Sequence, residues 1–428
     1  MSLAQEPRPT DVAHPDRSGP PYATLFLLYV TQYLGVGFIT VGLIAILRDG
    51  GTSLQTLGAL GLIGLIWPLK VLWAPVLDRF GSAKRGHYRS WLLVLQVGLV
   101  VSLLALLPYH RPADALTAVA LVCVAYVFLS ATQDIAVDAI AVRLLDAGER
   151  GAGNGVQLAG VSLGTVLGGG VCLIVYDHAG WTAAILLLAA LTAVGLVTAW
   201  RFREPPRAAA VDLGAAYRAL LSVYRQPGCR MWTFGVVTLL YVGSGAIWSL
   251  VTPALVDAGW SQSRIGMVTG VVVSIPAVVA GLVAGGFVSR AGRSAVLVTG
   301  GVLLGVAAVA LLPLLNGHAP LTGTVVALCG FMAAYTAVNV VVYTVTMDYS
   351  RPGTAGTDFT MLSSFGLACS FVASSAGLAA AAWVGYPAVA LGGIALTSAG
   401  VLLGVRHQRR FSPVRVPATA APVLTEAG

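Results

Sequence analysis

Residues 131–140, ATQDIAVDAI, place two carboxylates inside an otherwise apolar stretch. Asp134 and Asp138 are four positions apart, so on a helix they share one face. The surrounding segment, 115–143, exceeds the roughly 20 apolar residues that a bilayer crossing needs. A carboxylate at membrane depth is costly and points to function by default. What the pair does depends on whether the whole chain is built to live in lipid.

The composition says that it is. Of 428 residues, 57% are hydrophobic and only 10% charged, against about 25% charged in an ordinary soluble domain. Fifty-one glycines accompany them, as suits packed membrane helices. A large soluble enzyme is excluded, because so little charge would not keep it in solution. The five cysteines form no CxxC pair, which gives no support to a metal site or a disulfide framework. The net charge of +8 sits mainly in short loops between apolar segments. That pattern follows the positive-inside rule and argues against nucleic acid. The first twenty residues have no apolar core and do not read as a cleaved signal.

Twelve segments are long enough to span: 22–47, 54–77, 90–109, 115–143, 152–176, 181–201, 231–257, 263–289, 294–314, 320–347, 354–384 and 387–406. Segments four, ten and eleven are long enough to project beyond the hydrocarbon. With the N-terminus inside, the outer ends hold Arg48, Arg111 and Arg264, and Lys70 lies within a segment. The other 21 of the 25 Lys and Arg face the cytoplasm. Both termini are therefore expected there. The expected fold is an all-α polytopic membrane protein of two six-helix halves, 22–201 and 231–406. Cytoplasmic tails at 1–21 (disordered) and 407–428 flank them. The linker, 202–230, carries Leu213, Tyr217, Leu220, Leu221 and Tyr224 at helical spacing. This predicts a short amphipathic helix with Arg218 and Arg225 toward headgroups. A 6+6 division suggests two pseudo-symmetric halves.

A faint repeat agrees. Segment two ends WAPVLDRFGSAKRG and segment eight ends GGFVSRAGRSAVL, each with an Arg-x-Gly turn at a helix end. Asp78 in the first copy is Ser289 in the second. Such paired turns resemble the loops after spans two and eight in the major facilitator superfamily.

No Gly-x-Ser-x-Gly elbow, Walker loop or metal-ligand cluster occurs, so neither an enzyme nor ATP-driven transport is expected. No catalytic residue, metal site or cofactor is assigned. The six histidines are expected in loops or tails. Charges inside the apolar segments remain. Counted back from the expected helix ends at Asp78 and Arg143, Lys70 and Asp134 lie eight and nine residues deep, about 12 and 13–14 Å. Equal depth predicts an ion pair between segments two and four. It also predicts a latch at the cytoplasmic face in which Asp78, flanked by Arg79, pairs with Arg143. Asp138 has no evident partner and is the first candidate for proton coupling, with Asp134 and Lys70 beside it. A static pair that only fixes helix packing is the competing reading. Asp348 is expected at the cytoplasmic interface. Asp358 suits a first-turn carboxylate on the helix dipole and is also a substrate-binding candidate. The other candidates are the amides Gln32, Gln133 and Asn339, which would be costly against lipid, and Tyr241 and Trp248, seven apart on one face.

WPLKVLWAPVLDRF and SATQDIAVDAIAV resemble the hallmark stretches of the AmpG-like transporters of the major facilitator superfamily. That group includes muropeptide permeases, acetyl-CoA transporters and the RhtX/FptX siderophore permeases. The likeness covers the first five segments well and the second half mainly through AGTDFT, which is more like the siderophore branch. Muropeptide permeases of the group often carry two further membrane segments. The resemblance implies a permease of the bacterial inner membrane, a symporter that imports a siderophore with or without iron on the proton gradient. Its expected partners are that small molecule, protons and the lipid bilayer, with no nucleic acid, and it is expected to function as a monomer. A muropeptide permease is the alternative, and a non-transporting membrane sensor the reading from another class.

Overall fold

In the computed structural model the described residues are 21–82, 84–205 and 212–411. Most of the two expected tails lies outside them. The described residues are helical throughout, and their β contact is the isolated Ser82–Gly86 bridge. Ten continuous apolar helices are long enough to cross a membrane. Two features reconcile ten with twelve.

Arg150–Arg201 runs as one helix of 52 residues. Straight, it would reach about 78 Å, far more than the roughly 30 Å hydrocarbon core. It reverses at Gly180, whose φ of 78° suits a residue without Cβ. Cys172 Sγ lies 3.9 Å from the Ala184 carbonyl, twelve residues on, where a straight helix would hold them about 18 Å apart. Spans five and six are therefore an antiparallel pair. Span two is broken instead. It runs as Leu54–Gly61, a 3₁₀ turn at Leu62–Leu65, Ile66–Leu69, a second 3₁₀ turn at Lys70–Leu72 and Ala74–Arg79. Pro68 and Pro75 lack the N–H that a continuous α ladder needs, which accounts for the interruptions around Lys70.

Spans four and ten, Leu116–Leu144 and Leu321–Tyr349, have 29 residues each, and span eleven, Ala355–Val384, has 30. At about 44 Å their ends project from the core. Span twelve, Tyr386–Phe411, continues past the expected end at 406. His407 is thereby a buried helix residue rather than a tail residue, and His87 is buried at the start of span three, His87–Leu104. The two repeat turns also differ. In the second, Gly292 reverses the chain at φ 88°. In the first, the reversal falls at Gly86, φ 93°, after Gly81.

The linker helix, Leu213–Ser222, is N-capped by Asp212 and docks through Ala216 and Ala219. Tyr217 and Leu221 stay exposed beside Arg218 and Arg225. The expected apolar stripe is thus split: Tyr224 is buried and Leu213 and Leu220 are half-buried, whereas Tyr217 and Leu221 face outward.

The apolar core shows where the halves join. One cluster, around Leu34, Phe38 and Trp181, draws only on the first six spans. A second, around Leu77, Tyr88 and Ile140, also takes in Met347, Ala355 and Phe359 from spans ten and eleven. It lies at the end of the bundle that bears Arg79, Arg143 and Arg150, here termed the basic end. Spans five and eight also cross between halves, with span eight ending in Ser274–Ala291. A Cβ on Gly155 would lie 2.8 Å from the Gly285 Cα, and one on Gly281 would lie 2.9 Å from the Gly155 carbonyl. These helices touch backbone to backbone, as small residues permit.

Gly155→Val is expected to lower the melting temperature of the purified protein, because overpacking costs about 1–3 kcal/mol. Gly286→Val, on span eight next to Gly285 but with open space at its Cβ, is the control expected to leave it unchanged. Equal melting of the two variants would refute the close contact.

Candidate functional site

Span four carries the centre of the site. Lys70 Nζ and Asp134 Oδ2 are ion-paired, with side chains only 6% and 9% exposed. The broken helix of span two brings the lysine there, and its ammonium also lies 5.4 Å from the Trp67 ring centre. Gln32 of span one donates from Nε2 to the other carboxylate oxygen of Asp134 at 2.7 Å. Trp73 donates to the Thr132 hydroxyl at 3.1 Å. Tyr33 stacks on Trp67, 5.3 Å between centres.

Asp138 is not unpartnered, as its position in the sequence suggested. Tyr29 donates to its Oδ1 at 2.7 Å, and Gln157 Nε2 to the same oxygen at 2.9 Å. Both donors lie on other spans, Tyr29 on span one and Gln157 on span five, so no spacing within span four reveals them. Asp138 is 1% exposed. The two carboxylates therefore gather spans one, two, four and five into one polar seam. Gln133 reaches the Leu28 carbonyl at 3.5 Å. The amide oxygens of Gln32, Gln133 and Gln157 are buried without a hydrogen-bond donor among the described residues. Three buried acceptors beside two carboxylates form a surface suited to hydroxyl and N–H donors.

The other half supplies aromatic groups. Tyr241 donates to Asn339 Oδ1 at 2.6 Å, and Asn339 Nδ2 donates to the Tyr335 carbonyl at 2.9 Å. Trp248 is stacked on Phe331, 5.9 Å between centres and 16° between planes. Tyr241 and Trp248 thus both turn toward span ten, each with a partner there.

The expected latch is built differently. Arg143 pairs with Glu204 at 2.6 Å, not with Asp78. Glu204 begins the linker, and its second oxygen accepts the Arg89 backbone N–H at 2.8 Å. Asp78 instead accepts the Tyr88 hydroxyl at 2.5 Å and the backbone N–H groups of Gly356 and Thr357 at 3.2 and 2.8 Å. Those amides are orphan donors in the first turn of span eleven, where a carboxylate is favoured. A Cβ on Gly356 would sit 2.8 Å from Asp78 Oδ1, so the contact needs glycine. Arg79 lies 5.5 Å over the Phe80 ring and has no ion pair among the described residues. At the pseudo-equivalent place, Ser289 donates to the Gly148 carbonyl at 3.2 Å, again between halves.

Asp358 is also committed to structure. Arg351 meets it through Nε at 2.6 Å and Nη2 at 2.7 Å, its backbone N–H at 3.0 Å and the Thr354 hydroxyl at 3.1 Å. Hydrogen bonding to Asp358 pushes the Arg351 guanidinium above its ordinary range. The same guanidinium donates to Ser222 and the Ala219 carbonyl of the linker helix. Asp358 is thus the centre of a knot that ties the linker helix to span eleven. Asp348 receives Arg150 from the first half at 2.7 Å, and Arg293 from its own half. The sequence-based reading missed this pair and Glu204. GERGAGNG and FREPP held the only signal, a charge just outside a helix end.

Two helical halves closed at one end over a buried acid–base seam define a membrane transporter of the alternating-access architecture. The chain belongs to the Major Facilitator Superfamily, whose model matches residues 25–378. It is 29% identical to the anhydromuropeptide permease of Escherichia coli strain K12 over 291 residues, 67% of this chain and 59% of that protein. The match thus spans less than two thirds of that relative's length. The putative transporter AmpG 4 of Rickettsia felis is 26% identical over 40% of the chain and 43% of the relative. The fold is that of FucP in its outward conformation, TM-score 0.67 at 12% identity, covering 90% of this chain and 98% of that one. Human MFSD10, an organic anion transporter, gives 0.64 at 19% identity, covering 90% and 100%.

Asp134→Asn alone leaves the Lys70 ammonium buried and uncompensated, a loss of about 3–5 kcal/mol. A fall in melting temperature is expected, with part of it regained by adding Lys70→Met. No recovery in the double variant would count against the pair as a stability element. Asp78→Ala is expected to loosen the basic end, read as greater reactivity of Cys229 toward a thiol reagent. Burial pushes that thiol up to about 11, so it reacts slowly while the end stays closed. Unchanged labelling would show that the cap on span eleven is not what holds this end shut.

Proposed function

We propose that the chain is a proton-coupled importer of anhydromuropeptide-type solutes, a sugar bearing a short peptide. The observation that carries a transport role is the Lys70–Asp134–Asp138 seam with its three unpartnered amide oxygens. The substrate class is supported by the likeness to the anhydromuropeptide permease. Sugar hydroxyls and peptide N–H groups are the donors that Gln32, Gln133 and Gln157 lack, and Tyr241, Trp248 and Asn339 line the facing half. The siderophore reading rested on a count of twelve segments and on AGTDFT. The backbone of Gly356 and Thr357 and the carboxylate of Asp358 are engaged at the basic end, so that stretch carries a structural duty and does not favour a siderophore.

Coupling is assigned to Asp138. Both donors bind its Oδ1, which leaves Oδ2 to take the proton. Protonation removes a buried negative charge beside Asp134. The Lys70–Asp134 pair then holds a single neutral couple while the halves rock. By the positive-inside rule the basic end and both termini are assigned to the cytoplasm, and we take the protein to work as a monomer of the bacterial inner membrane.

Uptake of labelled anhydromuropeptide into proteoliposomes with an inward proton gradient tests this. Uptake abolished by a protonophore, at least tenfold lower in Asp138→Asn and indifferent to iron-loaded siderophore is the expected result. Competition by the siderophore would restore the other substrate class. Full coupling in Asp138→Asn would remove that residue from the proton path.

A further inference from the structure

Outside the transport site, spans nine and twelve form a groove of about 740 Å³ on the outer face of the second half. Span nine begins as Arg293–Ala310 and packs antiparallel to span twelve, with Gly301 set against Val401. One turn further on, a Cβ at Gly305 would meet nothing within 4 Å. The close approach at Gly301 and the missing side chain at Gly305 leave a slot walled by Val302 and Leu402. Its basic-end mouth is lined by Arg406 and Arg409. Three residues apart, they share one helix face. Both are exposed and neither has an ion pair among the described residues.

We propose that this groove is a binding site for an anionic phospholipid, one acyl chain in the slot and the phosphate on Arg406 and Arg409. Length supports a single chain. Ile394 to Arg406 covers twelve residues, about 18 Å at 1.5 Å per residue. One leaflet of a roughly 30 Å core is about 15 Å deep. Charge supports the headgroup. Two free guanidiniums at the level where a span ends match an anionic phosphate, whereas a neutral lipid gives them nothing. The site does not depend on which solute the protein carries.

Full-length protein in detergent, titrated with phosphatidylglycerol or phosphatidylcholine and read by native mass spectrometry, tests the site. Wild type is expected to retain phosphatidylglycerol several-fold more than phosphatidylcholine. Arg406→Gln/Arg409→Gln is expected to lose that preference, and Gly305→Leu, which fills the slot, to lose the retained lipid altogether. Arg201→Gln/Arg203→Gln, exposed at the end of span six, is expected to behave as wild type. Equal retention of both lipids by wild type would overturn the proposal. So would a preference that survives the Arg406/Arg409 double variant or falls as far in the Arg201/Arg203 control.

Discussion

The Lys70–Asp134 ion pair is the constraint around which the first half is arranged. Removing either charge from water costs several kcal/mol, and the attraction offsets this only when both ions are paired and further hydrogen-bonded. The surroundings meet that demand. Gln32 donates to the second oxygen of Asp134, and Trp67 lies under the ammonium. Span two presents Lys70 there and also ends at Asp78 against span eleven. Its prolines and two 3₁₀ turns give the path that does both. Asp138, one turn along, binds spans one and five through Tyr29 and Gln157. One face of span four thus holds three neighbours by polar contacts, in a medium where apolar burial alone does not select partners.

The basic end follows a related logic with a different chemistry. Two pseudo-equivalent helix ends meet the opposite half. Span two offers a carboxylate to bare amides at the start of span eleven, and span eight offers a hydroxyl to a carbonyl before span five. The exchange of Asp78 for Ser289 is matched by a change of target. A carboxylate only accepts, so it needs the N–H end of a helix. A serine donates, so it serves an orphan carbonyl.

Depth was legible in the sequence, and with it the Lys70–Asp134 pair, but the other partnerships were not. Twelve apolar segments, the 6+6 division and the common level of Lys70 and Asp134 follow from hydropathy and a rise of 1.5 Å per residue. The break between spans five and six was legible too, since Gly180, where the chain reverses, falls between segments 152–176 and 181–201. The expected Asp78–Arg143 latch failed. Depth equates residues at one level but does not say which face of a helix each occupies. Arg143 turns to Glu204, a linker residue outside every apolar segment. Tyr29 and Gln157 were illegible because polar groups in apolar segments announce only that they need a partner. AGTDFT was legible as a family stretch, yet its residues serve closure. A motif shared within a branch is not thereby a substrate motif.

The carboxylate at the centre of the basic end is arranged so that opening does not strand it. Arg150 crosses between halves to Asp348, but Arg293 holds the same carboxylate from within its own half. If span five withdraws, Asp348 keeps a counter-ion. Asp78 would lose two backbone donors and keep the Tyr88 hydroxyl. Arg143 and Glu204 both precede the linker helix and need not part at all. The large penalty for a buried unpaired ion therefore does not fall on Asp348, and Arg150, which loses its partner, keeps the Leu145 carbonyl of its own half. What separation gives up is a set of hydrogen bonds worth about 0.5–1.5 kcal/mol each, somewhat more where a charge takes part. The apolar contacts of Met347, Ala355 and Phe359 with the first half add to it. The Lys70–Asp134 pair lies wholly inside one half and is spared. The deep ion pair and the breakable end thus divide the labour. One keeps a half rigid as it moves, and the other sets a modest barrier to the movement.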